Sequence, residues 1–178
     1  MSTIRVNLSV NGLEKIKSEL LDLKKQLPNK CEEYVMALAQ EGIEVGKSNV
    51  GGFGKYITFS IKTDTQQYGC TALLLATETS KIISKWQTED GLKTATVSPL
   101  LMAEFGSGWG AENPMKIPGV GQGTFPEQTH AFDKEGWYWL DENDEWHYSK
   151  GITAKMPMYK ASRQIQMIVK SKAKEVFK

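Results

Sequence analysis

The spacing of apolar residues along the chain changes from helical to alternating and back to helical, and that order limits the folds open to it. From Leu13 the apolar positions run Leu13, Ile16, Leu20, Leu23 and Leu27, in alternating steps of three and four. Such steps draw one stripe along a helix. Glu14, Lys15, Lys17, Glu19, Lys24 and Lys25 fall mainly on its wet side. Pro28 is expected to end or kink this helix, with Asn29 capping a second one. The second pattern carries Cys31, Tyr34, Val35, Leu38 and Val45, and Gly42 and Gly46 are expected to loosen its end. Two heptads are too few for an extended coiled coil, so the stripe reads as a core face. Ahead of it, Ile4, Val6, Leu8 and Val10 alternate with polar residues as a short strand would, broken by Asn11-Gly12.

Beyond the connector Gly51-Gly52-Phe53-Gly54 the period shortens. Strands are expected at Tyr56–Thr63, Tyr68–Thr77 and Ile82–Trp86, with a further one starting at Thr94–Val97. Short turns between them make an antiparallel meander the simplest pairing. Pro99–Phe105 reads as a helical turn that stops at Gly106. Residues 106 to about 135 show no period and are rich in glycine and proline, the mark of a functional or mobile loop. Trp137–Leu140 and Glu145–Tyr148 flank Asp141-Glu142-Asn143-Asp144, a hairpin signal. A final helix starts at Pro157, where a missing backbone donor costs little. It carries Met158, Ala161, Ile165, Ile168, Val169, Ala173 and Val176 on its apolar side. The expected class is α+β: an antiparallel meander packed against N-terminal helices and a C-terminal helix, with an inserted loop and β-hairpin.

A chain of 178 residues fits one domain and can bury roughly 70% of its unfolded surface. Its net charge of +1 argues against a protein that wraps nucleic acid, which needs a basic excess. Cys31 and Cys70 sit in apolar patterns and read as buried free thiols. The start, Met1-Ser2-Thr3-Ile4-Arg5, lacks a secretion signal, and the longest apolar run, Ala72–Ala76, is too short for a bilayer. A soluble protein of a reducing cytoplasm is expected, with no membrane partner.

No reactive constellation emerges. His130 and His147 are the two histidines, and neither has metal-ligand spacing to cysteines or carboxylates. Asp141–Glu145 lacks the central glycine and final glutamate of a calcium loop. The clusters Gly51–Gly54, Gly106–Gly110 and Gly119–Gly123 lack the lysine and hydroxyl ending of a triphosphate loop. Ser107 is not in the spacing of a nucleophile elbow, and Glu104 has no evident acid–base partner. Catalytic, cofactor and metal sites are therefore all expected to be absent.

Two segments look like junctions where secondary structure changes: Ala103-Glu104-Phe105-Gly106-Ser107-Gly108, and Met156-Pro157-Met158-Tyr159-Lys160-Ala161. With the helical pair, the meander, a variable loop and the hairpin Gly136–Tyr148, they resemble the tail-completion (head–tail joining) family of long-tailed bacteriophages. That family occurs in siphophages and prophages of Gram-positive hosts. Its members carry Glu-Phe-Gly-Thr-Gly at the first segment and Pro-Phe-Met-Tyr at the second. This chain has Ser107 for the threonine and Met156-Pro157 for the Pro-Phe pair.

The resemblance implies a single tail-completion-like domain over residues 1–178, with residues 106–150 as inserted loop and aromatic hairpin. It implies a structural virion protein of the neck, assembled in the host bacterial cytoplasm. Copies would form a ring, expected as a hexamer, between the portal-side connector or head-closure protein and the tail terminator or tail-tube protein. DNA would pass through the lumen without sequence-specific binding. The residues expected at framework or interface positions are Glu104, Phe105, Gly106, Gly108, Trp137, Trp139, Trp146, Tyr148, Pro157, Met158 and Tyr159. Trp and Tyr dominate interface energetics. The hairpin also resembles one unit of the choline-binding cell-wall repeats. The alternative is thus a cell-wall or carbohydrate-binding module using Trp137, Trp139, Trp146 and Tyr148.

Overall fold

The computed structural model describes residues 10–66, 69–88, 90–118, 134–140 and 143–178. In chain order it has α1 (Val10–Asn49), a 3₁₀ turn (Gly51–Tyr56), β1 (Ile57–Gln66), β2 (Gly69–Glu78), β3 (Ile82–Thr88) and β4 (Gly91–Val97). There follow α2 (Pro99–Phe105), a second 3₁₀ turn (Gly108–Gly110), β5 (Trp137–Leu140), β6 (Trp146–Ser149) and α3 (Pro157–Val176). The class is α+β, with a two-stranded antiparallel sheet packed against the N-terminal and C-terminal helices. The described strands pair as β1–β2, β3–β4 and β5–β6. No described helix is long and apolar enough to cross a membrane.

The N-terminal segment departs from expectation. Residues 10–49 form one helix, with Pro28 inside it. Val10, Asn11 and Gly12 are helical and belong to no strand, and the expected positions Ile4, Val6 and Leu8 lie outside the described residues. Proline removes one i→i−4 bond, here to the carbonyl of Lys24. Lys24 is exposed, so water can take the place of the missing donor. The leucine stripe is no core face either. Leu13, Leu20, Leu23 and Leu27 keep 56%, 54%, 51% and 52% of their surface.

The chain divides into two compact units, the first comprising Met1–Glu44, Ser60–Leu75 and Ala161–Lys178. In it α1 and α3 run antiparallel, so that Lys30 Nζ reaches the Val176 carbonyl at 3.4 Å and Tyr34 Oη donates to the Val169 carbonyl at 2.9 Å. The Tyr34 ring meets Phe177 edge-on at 5.7 Å. Leu38, Ala39, Ile43 and Ala161 are buried. A Cβ on Gly42 would lie 2.8 Å from Ile165 Cδ1 and 2.9 Å from Leu74 Cδ2, so this glycine admits α3 and β2 to the helix surface. Lys172 lies 3.3 Å from Glu41 and 3.6 Å from Glu175. Its pKa is raised above 10.5, chiefly by the Glu41 hydrogen bond and then by the Glu175 charge. The contribution is complete at neutral pH and is lost only as pH climbs past that raised value. Cys31 and Cys70 are free, as expected, but only partly buried.

The second unit comprises Val45–Phe59 and Ala76–Lys160. Gly46 faces Phe59, whose Cε1 would stand 2.7 Å from an added Cβ. Both helix glycines thus serve close packing, and α1 does not loosen there. Gly46→Ala should cost about 1 kcal/mol, because a rigid ring must move and the gain in helix propensity is smaller than that displacement. Gly42→Ala meets flexible chain ends and should be nearly neutral. Urea midpoints at unchanged slope check the pair.

In the same unit β3 and β4 pair from Ile82↔Val97 to Thr88↔Gly91, and Gly91 has φ +115° at the turn. Val97 is the centre of a small core with Leu101 and Met102. Ser98, also buried, caps α2: its Oγ accepts from Leu101 N at 3.1 Å and donates to Glu78. Glu78 in turn pairs with Lys81. Ser98→Ala should destabilise by roughly 1–2 kcal/mol, since the Leu101 N–H loses its cap and Glu78 loses one donor while keeping Lys81, read from the same denaturation midpoints.

Candidate functional site: a clasp between two junctions

The two junction segments, far apart in sequence, meet within the second unit. α2 stops because Gly106 takes φ +65° and ψ −160°, a region open essentially only to glycine. Its N–H closes the helix on Met102 O at 2.9 Å. The chain then runs alongside residues 150–156. Ser107 N donates to Ile152 O at 2.8 Å, and Ile152 N returns to Ser107 O and Oγ, each at 3.1 Å. Trp109 N reaches Lys150 O at 2.7 Å, and Ala154 N reaches Gly110 O at 2.9 Å. One carbonyl, Ala103 O, accepts from both Lys155 N at 2.8 Å and Met156 N at 3.1 Å.

This ladder is packed to backbone contact. A Cβ on Gly106 would run into Ile152 O, and one on Gly151 (φ +107°) into Ser107 O. Ala103, Phe105, Ser107, Ala154 and Pro157 are all buried, and Gly108 is buried at φ +56°.

Glu104 finds its partner at the far end of the ladder. Its Oε2 accepts from Met158 N and its Oε1 from Tyr159 N, both at 2.8 Å. A helix start leaves its first N–H groups without intrahelical partners. Here Pro157 has no N–H, Met158 and Tyr159 are served by Glu104, and Lys160 N bonds Met156 O at 3.0 Å. Every donor of the first turn of α3 is thereby accounted for. The carboxylate also lies at the positive end of the helix dipole. Met156 closes the cap at φ +53°, a strained setting for a side chain with a Cβ, fixed by hydrogen bonds at both its N and its O.

Of the expected residues, Glu104, Phe105, Gly106, Gly108, Pro157, Met158 and Tyr159 therefore meet in one place. Sequence reading missed the opposite rail, residues 150–155, whose one signal is Gly151 two positions past the end of β6.

The aromatic hairpin leads straight into that rail. Its register sets Tyr138 opposite Tyr148 and Leu140 opposite Trp146. The two tyrosine rings stand 5.1 Å apart, and Tyr148 Oη donates to Glu135 O at 2.5 Å. Tyr138, Trp146 and Tyr148 are 63%, 49% and 50% exposed. Trp137 and Trp139 occupy the alternate register, opposite Ser149 and His147. The four residues named for sugar binding therefore do not share one register set. Asp144 turns the hairpin at φ +62°, as Asp tolerates. Trp109, beside the ladder, is 70% exposed, and Lys134 Nζ donates to its carbonyl at 3.1 Å. The loop expected over residues 106–135 is thus pinned at its start, while residues 119–133 lie outside the described residues. Among the described residues no cluster of His, Cys, Asp or Glu could hold a metal ion.

No protein-family model, curated protein or solved structure matches the chain.

Proposed function

We propose that the chain is a structural protein of the bacteriophage neck, a subunit of a ring joining the DNA-filled head to the tail. The observation that carries this reading is the clasp: the two segments resembling the family signature are the two that bond to each other. Both oxygens of Glu104 are occupied by backbone N–H groups, which suits a framework carboxylate rather than an acid or base. The exposed leucines of α1, Trp109 and the aromatic face of the hairpin are large apolar side chains of the kind that interfaces cover. They suit a subunit completed by neighbours. A ring needs two different patches on each copy, and its partners would be the portal-side connector and the tail terminator or tube, with DNA crossing the lumen ungripped.

Deleting the gene from the phage that carries it should leave filled heads and finished tails unjoined in electron micrographs of lysates. Joined, infective particles without the protein would sink the reading. Of its four residues the carbohydrate-binding alternative keeps Trp146 and Tyr148 on one exposed face, beside Tyr138. Retention on a choline or glycan column separates it, since a neck subunit should run through.

A further inference from the structure

We propose that residues 13–27 of α1 pair in parallel with the same segment of further copies of this chain. The stripe Leu13, Ile16, Leu20, Leu23, Leu27 occupies successive a and d positions of a heptad, and its leucines are about half exposed. The next positions of that pattern, Lys30 and Tyr34, are already bonded to α3, so the free segment ends at Leu27. Because α1 is continuous with a packed half, the segment propagates an existing helix and needs no nucleation of its own.

The flanking charges choose the occupant and its direction. Lys17 and Lys24 fall at e, and Glu19 falls at g. In a parallel, in-register pair the g residue of one heptad faces the e residue of the next on the neighbour. Glu19 then meets Lys24 of the partner subunit, and the same contact repeats with the copies exchanged. An antiparallel pair would set e against e, lysine against lysine. Leucine at all three a positions, with Ile16 and Leu23 at d, departs from the β-branched a positions of two-stranded zippers and favours more than two helices.

The inference deepens the neck reading and rests on it for ring-like self-association, yet the two are tested apart. Sedimentation of the full chain at low salt should show concentration-dependent association. Glu19→Lys and Lys24→Glu should each weaken it about tenfold by turning every Glu19–Lys24 attraction into a repulsion. Mixing the two variants in equal amounts should recover association, since every contact between unlike copies then joins opposite charges. The double change Leu20→Asp with Leu23→Asp should leave a folded monomer, because neither side chain is in the core, with a melting temperature that no longer depends on protein concentration. A monomeric parent chain, association indifferent to the charge changes, or no recovery on mixing would each overturn the proposal. Recovery on mixing, in a protein dispensable for joining heads to tails, would leave this surface standing and remove the neck reading alone.

Discussion

Gly106→Ala is expected to lower the melting temperature by more than about 10 °C, or to prevent the protein from accumulating in folded form. The backbone at Gly106 combines φ +65° with ψ −160°, which costs an L-residue of order 1–3 kcal/mol before any contact is counted. The added methyl would also strike Ile152 O, with Ala154 N at 2.5 Å and Gly110 O at 2.7 Å. These are backbone atoms and cannot rotate away. Relief requires the two rails to part, and two or more ladder hydrogen bonds go with them, at roughly 1 kcal/mol each. The sum is on the order of 5 kcal/mol, comparable to the whole stability of many domains. Gly52→Ala is the control, because its new methyl would meet nothing within 4 Å and its φ is not positive. It should shift stability by less than about 0.5 kcal/mol. Equal behaviour of the two variants in thermal melts would show that the clasp is not a structural keystone.

Glu104→Ala should be the next most damaging change, at about 3 kcal/mol. Two hydrogen bonds to a charged acceptor disappear, the N–H groups of Met158 and Tyr159 lose their partner, and the helix start loses its compensating charge. Glu104→Gln should cost about half as much, since one amide oxygen can still accept while the charge is gone. Denaturant midpoints at constant slope measure both. The order Ala worse than Gln worse than Glu is the specific expectation. If glutamine matched glutamate, the dipole and the second hydrogen bond would be contributing nothing.

Much of the element order could be read from spacing alone. Alternation marked a strand from Tyr56, in which Ile57 and Phe59 prove buried, and Trp137 to Tyr148 as a hairpin, because strand period and turn residues act within a few positions of each other. Pro157 at the head of α3 is likewise local, since its fixed φ and missing donor suit a first helical turn whatever surrounds it. Pro28 shows the limit of such reasoning. Proline in a helical pattern predicts a break, but good helix formers lie on both sides and the lost bond sits at an exposed turn.

The clasp was legible only as two marked segments. Nothing local says that Glu104 caps a helix beginning at Pro157, because that bond forms only when α2, the ladder and α3 are all in place. Lys150–Lys155 escaped notice for a related reason: its contribution is backbone, and backbone donors carry no residue signature.

By itself the amino-acid order determined most of the elements beyond Gly51 and which positions along them share a face, since periodicity is a property of the chain. Only the tertiary structure decided what each face meets. It sent Leu38 and Ile43 into the interior, left Leu13 to Leu27 at the surface, and gave Glu104 its two donors. Those outcomes depend on contacts between residues distant in sequence, whose energies no local pattern encodes.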